Sequence, residues 1–330
     1  MSFQILCLSG GGYLGLYTAK VLAGIEEELG GHTADHFDLV AGTSVGGIIA
    51  LGLAARIPAS AILEAITLGG PKIFSPDPPP SGWFNKTVSL ISGARKAKYD
   101  PAPLRKIITD LLGPDTYIGD LKHRTIIPTV NLTKGSPQVF KTPHHETFVR
   151  DWKVPIVDVG LATSAAPTFF PLHRIGGEMF ADGGLYANSP DLLALHEAEH
   201  FLGQSQHDVR ILSIGTTTAS LSVSNSLPLN LGWKGWMEGQ LLTSVMIAAQ
   251  QINSGYILKH RLGDRYYRID RDQSAGQQAS LALDAASPAA THDLLGMAEA
   301  SLRDHLPQQA LRDFWLHRVT QQNFFKGTGR

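Results

Sequence analysis

The sequence has little cysteine, little charge and no long apolar run. Cys7 is the one cysteine among 330 residues, which excludes an intramolecular disulfide and a cysteine-rich metal site and suits a reducing compartment. Charged residues make up 17% of the chain and the net charge is −1, so no global field attracts a nucleic-acid polymer. No stretch reaches the roughly 18 apolar residues of a membrane span, and Gly10 ends the first apolar run too early for a signal peptide. We therefore expect a cytoplasmic protein that reaches membranes from the water side, acting at the inner face.

Glycine is abundant instead, at 34 residues, and it clusters after predicted strands. Residues 5–8 form an apolar run that ends in a glycine loop, and a helix fits residues 14–29. The same order returns with a strand at 37–41, glycines at 42–47 and a helix from 48. Two strand–loop–helix units within 55 residues predict an α/β fold whose mostly parallel central sheet has helices on both faces.

The rest of the chain continues this pattern. Further strands are predicted at 125–131, 136–141, 179–181, 209–215 and 265–269, and helices at 191–201 and over most of the chain after 233. Residues of about 70–100 form a proline-rich insertion that we expect outside the core, as a packed surface loop or an interfacial lid. Without a repeat or a clear linker, we expect a single domain over 1–330, with a core at about 5–217 and a helical C-terminal portion at about 233–330.

The first glycine loop fits two kinds of site. Gly10, Gly12 and Gly15 satisfy the GxGxxG pattern of a dinucleotide-binding turn between a strand and a helix. That fold also needs an acidic residue at the end of its second strand, whereas Asp38 lies at the beginning of that strand. The dinucleotide interpretation therefore fails at the residue that would confirm it.

The second glycine loop contains a serine in the pattern GxSxG. Gly42 and Gly46 flank Ser44 between an apolar strand and a helix of small residues, the context of a nucleophile elbow. Such a turn would present the Ser44 hydroxyl at a helix N-terminus. A plain glycine-rich turn without chemistry is the alternative.

A serine nucleophile needs a base and donors for the oxyanion that forms on the attacked carbonyl. The loop at Gly10 lies at the same sheet edge as the elbow and can supply backbone N–H donors. Asp182, followed by Gly183 and Gly184 after a short apolar strand, is the candidate base. An ordinary turn aspartate is the alternative for that residue.

Together these blocks resemble the patatin-like phospholipases, with a glycine loop, a GxSxG serine and a DGG aspartate in that order. The blocks lie at 9–15, 42–46 and 182–184, and a fourth lies at 162–171. The resemblance implies a three-layer patatin-like fold and hydrolysis of lipid acyl esters at a phospholipid membrane through an acyl-enzyme, without a metal or other cofactor. It implies a dyad of Ser44 and Asp182, with the oxyanion held by Gly11 and Gly12; Val45 N–H is added from general elbow geometry.

The start of the chain also resembles the bacterial phospholipase effectors that cyclic oligonucleotides switch on in anti-phage defence. That resemblance implies a cyclic oligonucleotide as activator and allows a homo-oligomer. Cations available for its phosphates are Arg95, Lys96, Lys98, Arg105, Lys134, Lys141 and Arg150. A constitutive patatin-like lipase in lipid turnover, and a non-catalytic nucleotide sensor on the same fold, remain as alternatives.

Histidines keep two rival sites open. An ordinary hydrolase triad would place a histidine after Asp182, and the candidates are His196, His200, His207 and His260. Residues 196–200 also read His-Glu-Ala-Glu-His, a literal HExxH zinc pattern, although no third ligand is visible and a solvated helix face explains the spacing. Trp233 and Trp236 are expected to be packing residues rather than lipid anchors.

Overall fold

The computed structural model describes residues 2–75, 96–217, 227–237, 241–320 and 322–325. Most of the proline-rich insertion, with its Trp83, Phe84, Lys86 and Arg95, lies outside the described residues. Within the described ranges, no helix is long and apolar enough to cross a bilayer.

An eight-stranded mixed sheet forms the centre of the molecule. Its strands are β1 (Phe3–Leu8), β2 (Leu39–Gly42), β3 (Thr125–Asn131), β4 (Ser136–Lys141), β5 (His173–Ile175), β6 (Glu178–Asp182), β7 (Val209–Ile214) and β8 (Tyr266–Ile269). The order is β5-β6-β3-β2-β1-β7-β8, with β4 paired to β3. Five neighbouring strands, β3, β2, β1, β7 and β8, run parallel to one another. The other three, β4, β5 and β6, pair antiparallel. The expected mostly parallel sheet is confirmed.

Helices cover the sheet. They are α1 (Gly15–Leu29), α2 (Val45–Ala54), α3 (Ala59–Ile73), α4 (Ala102–Leu112), α5 (Ile156–Thr163), α6 (Gly184–Ala187), α7 (Asp191–His196), α8 (Trp233–Met237), α9 (Leu241–Leu262), α10 (Ala275–Ser280), α11 (Pro288–His305) and α12 (Gln309–Leu316). A π-helical turn over Glu197–Phe201 continues α7.

The side chains of β1 point alternately to the two faces of the sheet and so join two separate layers of the core. Leu6 and Leu8 join the larger apolar cluster, which includes residues of α1, α2, α4 and α11. Ile5 and Cys7 point to the opposite face and join the smaller cluster, to which α7 and the end of α9 contribute. Because neighbouring side chains of a strand leave opposite faces, one apolar run serves both layers. The sheet and the helices on its two faces therefore form three layers.

The C-terminal part of the chain contributes to the same core. Strand β8 pairs with β7, so the sheet extends past the predicted core of about 5–217. Helix α11 packs against α1, where the Tyr17 hydroxyl lies 2.7 Å from Ser301 Oγ. Residues after 233 therefore complete the sheet and one of its covering layers.

Two expectations about packing were wrong. The described ends of the insertion lie partly in the core: Tyr99 is buried, and its ring meets Phe74 edge-on at 5.4 Å between centroids. Both rings lie against Phe170, because aromatic area outweighs the local proline content in deciding burial. Trp233 is not a packing residue, since its side chain is 75% exposed.

Candidate active site

Ser44 lies on a sharp turn between β2 and α2. Its φ of 55° and ψ of −125° place a non-glycine residue in the left-handed half of backbone space, the strained conformation of a nucleophile elbow. A Cβ on Gly46 would lie 2.4 Å from the carbonyl oxygen of Leu8, so the helix can approach β1 this closely only with glycine there. The turn thus holds the Ser44 hydroxyl at the N-terminus of a ten-residue helix.

Asp182 faces that hydroxyl at the end of β6. Ser44 Oγ donates to Asp182 Oδ2 at 2.8 Å, and the Gly184 N–H donates to Oδ1 at 2.7 Å. Ser44 is 9% exposed and Asp182 is 5% exposed. Burial raises the pKa of the Asp182 carboxyl from 3.8 to about 6, against the lowering effect of the two hydrogen bonds. The carboxylate is therefore a stronger base than an exposed aspartate and is still ionised near neutral pH.

Thr163 connects the serine turn to the aspartate strand. Its Oγ1 accepts a hydrogen bond from the Ser44 N–H at 3.1 Å and donates to the carbonyl of Pro128 at 2.7 Å. The Thr163 carbonyl accepts from Gly183 N–H at 3.3 Å. The fourth sequence block, 162–171, thus positions both members of the dyad, a role that its composition did not reveal.

The glycine loop after β1 lies against Ser44. Gly12 has a φ of +56°, and a Cβ there would meet the Leu283 carbonyl oxygen at 2.1 Å, so both the backbone conformation and the space require glycine. Asn188 and Thr216 bind the Gly10 carbonyl through side-chain donors at 3.2 and 3.0 Å. These bonds fix the peptide that precedes Gly11.

Three backbone N–H groups near Ser44 are free to bind an anion. Those of Gly11, Gly12 and Val45 donate to no acceptor among the residues that the structure describes. Val45 is also the first residue of α2, where the helix dipole favours negative charge. All three residues line one cavity together with Ser44 and Asp182. The predicted glycine, serine and aspartate residues therefore meet at one place.

The cavity has a volume of about 350 Å³ and is mainly apolar. Its walls include Ile48, Ile73, Phe74, Leu104, Phe170 and Leu283. Such a space has few partners for a polar or charged ligand but can bury hydrocarbon. Phe74 places one described end of the insertion in this wall.

Helix α9 closes part of the cavity, which the sequence did not predict. Met246 and Ile247 line it, and Gln250 of the same helix bonds the loop after the aspartate. Gln250 Nε2 donates to the Gly184 carbonyl at 3.2 Å, and its Oε1 accepts from Asn188 N–H at 3.0 Å. The only sequence signal for the role of Gln250 was its position as a polar residue one helical turn after the apolar Met246 and Ile247.

The four candidate histidines do not form a triad. His196, His200, His207 and His260 are exposed, and within the described part of the chain none bonds Ser44 or Asp182. The rings of His196 and His200 stack on each other at 5.1 Å. The carboxylate itself takes the position that a triad histidine would have.

In the HExxH pattern at 196–200 the two histidines are exposed and the first glutamate makes structural contacts. Its Glu197 is buried and binds Lys141 Nζ at 2.5 Å and His144 Nε2 at 3.0 Å, so this carboxylate is held among protein partners rather than next to the two histidines. These contacts lower the pKa of Glu197 despite its burial. They fit the structural interpretation of the motif.

Several of the cations considered for an activator are already paired. Ion pairs join Lys98 to Asp284, Arg105 to Asp158, Lys134 to Glu178 and Lys141 to Glu197. Lys141 is the most buried of the four and also lies over the ring of Phe201 at 4.1 Å. The Asp38 carboxylate, weighed for a dinucleotide, accepts from the N–H of Gln4 and from His317 at the opposite edge of the sheet.

A serine on a strand–turn–helix elbow, bonded to a buried carboxylate, defines the class of the serine acyl hydrolases, and the apolar cavity beside it suits an acyl chain. The model of the patatin-like phospholipase family matches residues 6–195. The chain belongs to this family.

Relatives match over nearly the whole length. A cGAMP-activated phospholipase of Pseudomonas aeruginosa is 40% identical, with 100% of this chain and 96% of the relative covered. A cGAMP-activated phospholipase of Vibrio cholerae is 36% identical, with 94% of each covered. Among solved structures, VipD from Legionella pneumophila matches with 14% identity and a TM-score of 0.43, over 89% of this chain and 67% of that one.

Proposed function

We propose that the chain hydrolyses phospholipid acyl esters with Ser44 as nucleophile and Asp182 as base, and that cGAMP activates it. The observation that carries the catalytic part is the 2.8 Å hydrogen bond from Ser44 Oγ to a buried carboxylate of raised pKa. Activation by cGAMP is supported by two relatives that match this chain almost end to end and are named cGAMP-activated phospholipases.

In the first half-reaction Ser44 Oγ attacks the acyl carbonyl carbon while its proton passes to Asp182 Oδ2. The carbonyl oxygen becomes an oxyanion, which the N–H groups of Gly11, Gly12 and Val45 would bind. When this intermediate collapses, the ester C–O bond breaks and the alcohol part leaves with the proton from Asp182. The acyl group stays on Ser44 as an ester.

In the second half-reaction water replaces the alcohol. Asp182 takes a proton from the water as its oxygen attacks the acyl-enzyme, and the same N–H groups hold the new oxyanion. The Ser44 ester bond then breaks, Ser44 recovers the proton, and a fatty acid leaves. Asp182 thus acts as base and then acid in each half, for which a pKa of about 6 is suited.

The cavity favours a lipid over a water-soluble ester. Its aliphatic and aromatic walls can take an acyl chain out of water at roughly 0.8 kcal/mol per buried CH₂. Ser44 lines the cavity, and Ile107, Ile108 and Phe169 form part of its walls, so a chain bound there would lie in apolar surroundings.

Regulation is the second part of the proposal. A constitutively active phospholipase would damage the membrane of its own cell, so we expect a low basal activity that cGAMP raises. From the sequence we predict that the proline-rich insertion covers Ser44 at rest, and this prediction falls mainly on residues outside the described ranges. The described end of the insertion at Phe74 lies in the cavity wall. The role in anti-phage defence stays a prediction.

One experiment separates this proposal from its alternatives. Fatty-acid release from phospholipid vesicles is measured for the wild type and for Ser44→Ala, with cGAMP, with other cyclic dinucleotides and trinucleotides, and without any. We expect release only by the wild type and mainly with cGAMP. Equal release without a nucleotide would favour a constitutive lipase, and binding of cGAMP without release under any condition would favour a sensor.

A further inference from the structure

Helix α9 has an outer face that is apolar yet exposed. Leu242 is 38% exposed, Ile252 67% and Tyr256 65%. At about 100° of rotation per residue, these three fall within an arc of roughly 80° together with Val245 and Ala249. Large contiguous apolar surface on a protein usually marks a binding site for a partner or a membrane.

The neighbouring face of the same helix belongs to the catalytic cavity. Thr243, Met246 and Ile247 line the cavity, and Gln250 bonds the loop at Gly184. Leu242 lies on the border, because it lines the cavity and is also exposed. The outer face is therefore continuous with the part of the cavity wall that reaches the protein surface, which we call the cavity mouth.

A tryptophan segment extends this surface. Trp233 of α8 lines the cavity while 75% of its side chain is exposed, and Trp236 one turn later is 38% exposed. Leu229 just before them is fully exposed. The indole ring has an apolar body and one N–H donor, which suits it to the boundary between lipid headgroups and acyl chains.

Charge in this part of the chain is compatible with an anionic surface. Between residues 227 and 262, Glu238 is the one acidic residue, whereas Lys234, Lys259 and Arg261 are basic. Arg261 is paired with Glu199 at 2.7 Å. Lys259 is exposed in the last turn of α9. This part of the chain thus has few carboxylates that would repel anionic lipid headgroups.

We propose that the outer face of α9, extended by Trp233 and Trp236, docks on a phospholipid surface and holds the cavity mouth against it. The partner is a lipid surface rather than a second copy of the chain because the apolar face runs directly into the cavity that would receive the acyl chain. This inference rests on the proposed phospholipase function, which requires lipid to leave a bilayer.

The test measures vesicle binding apart from catalysis. The full chain carrying Ser44→Ala, so that lipid is not consumed, is floated with vesicles of phosphatidylethanolamine and a minority of phosphatidylglycerol, with and without cGAMP. Adding Ile252→Ser and Tyr256→Ser should weaken partitioning about tenfold or more, because two apolar side chains no longer enter the lipid. The matched control is Leu316→Ser, which replaces a residue of 77% exposure outside this surface and should leave binding unchanged.

Two further readouts make the result decisive. With Ser44 intact, the Ile252 and Tyr256 variant should cleave a short water-soluble ester at the wild-type rate, since neither residue lines the cavity. Unchanged vesicle binding by the Ile252 and Tyr256 variant would overturn the docking proposal. A variant that changed only the particle mass in light scattering would also overturn it, because the face would then bind a second copy of the chain. A wild type that binds vesicles through Ile252 and Tyr256 but cleaves no ester would refute the phospholipase function and leave the docking surface supported.

Discussion

Replacement of the buried carboxylate should stabilise the protein while it removes the activity. Asp182 has a pKa of about 6 in the folded protein against an ordinary value of 3.8. Because the folded state binds the proton more tightly, this group lowers the free energy of unfolding as pH rises above about 4, and the full cost is present above about pH 6. A difference of 2.2 pH units corresponds to about 3 kcal/mol.

Asp182→Asn keeps the shape and removes the charge. Its amide oxygen can still accept from Gly184 N–H, and its NH₂ group can donate to Ser44 Oγ, so both contacts have partners. Relative to the wild type we expect the variant to be more stable by about 3 kcal/mol at pH 7.5 and by roughly half as much at pH 5. Its esterase activity should fall about a hundredfold or more, because an amide cannot take the serine proton.

Urea unfolding at these two pH values measures the effect, together with ester hydrolysis on the same samples. Asp115→Asn is the control, because that carboxylate is exposed and its replacement should not produce a pH-dependent gain. A wild-type activity that rises with pH through about 6 would agree with the same titration. A stability difference between wild type and Asp182→Asn that does not change between pH 5 and 7.5 would refute the reasoning.

Three other outcomes are expected. Gly46→Ala should lower the free energy of unfolding by about 3 kcal/mol or more in urea, because its Cβ would lie 2.4 Å from the Leu8 carbonyl oxygen. Gly276→Ala is the control: it meets no atom within 4 Å and lies in a helix, so it should not lower stability and should raise it by at most about 1 kcal/mol. Gln250→Ala should reduce kcat on soluble esters and cost about 1–2 kcal/mol of stability, because it removes the bonds to Asn188 and Gly184; an unchanged kcat would show that this helix does not position the loop. Activity should survive EDTA, since backbone N–H groups would hold the oxyanion; loss that zinc or calcium restores would contradict the dyad.

The sequence predicted much of the sheet because its signals are local. The apolar runs before Gly10 and before Gly42 each combine a preference for a strand with a preference for the turn that follows it. Both strands occur where expected, with β2 displaced by one or two residues. The hairpin of β3 and β4 matches its predicted ends. Glycine at a turn is a strong local signal because only it tolerates the required backbone conformations and close approaches. The order of these blocks also carried the family resemblance.

Only the tertiary structure decided which distant residues meet. Ser44 and Asp182 are separated by 138 residues, and their hydrogen bond exists because β2 and β6 both flank β3 in one sheet. The roles of Thr163 and Gln250 depend on contacts that no local pattern encodes, and the burial that raises the pKa of Asp182 comes from several elements at once. The sequence by itself determined the chemical groups and the turns that present them, whereas long-range packing determined their distances, their solvation and the exposure of the apolar face beside the cavity.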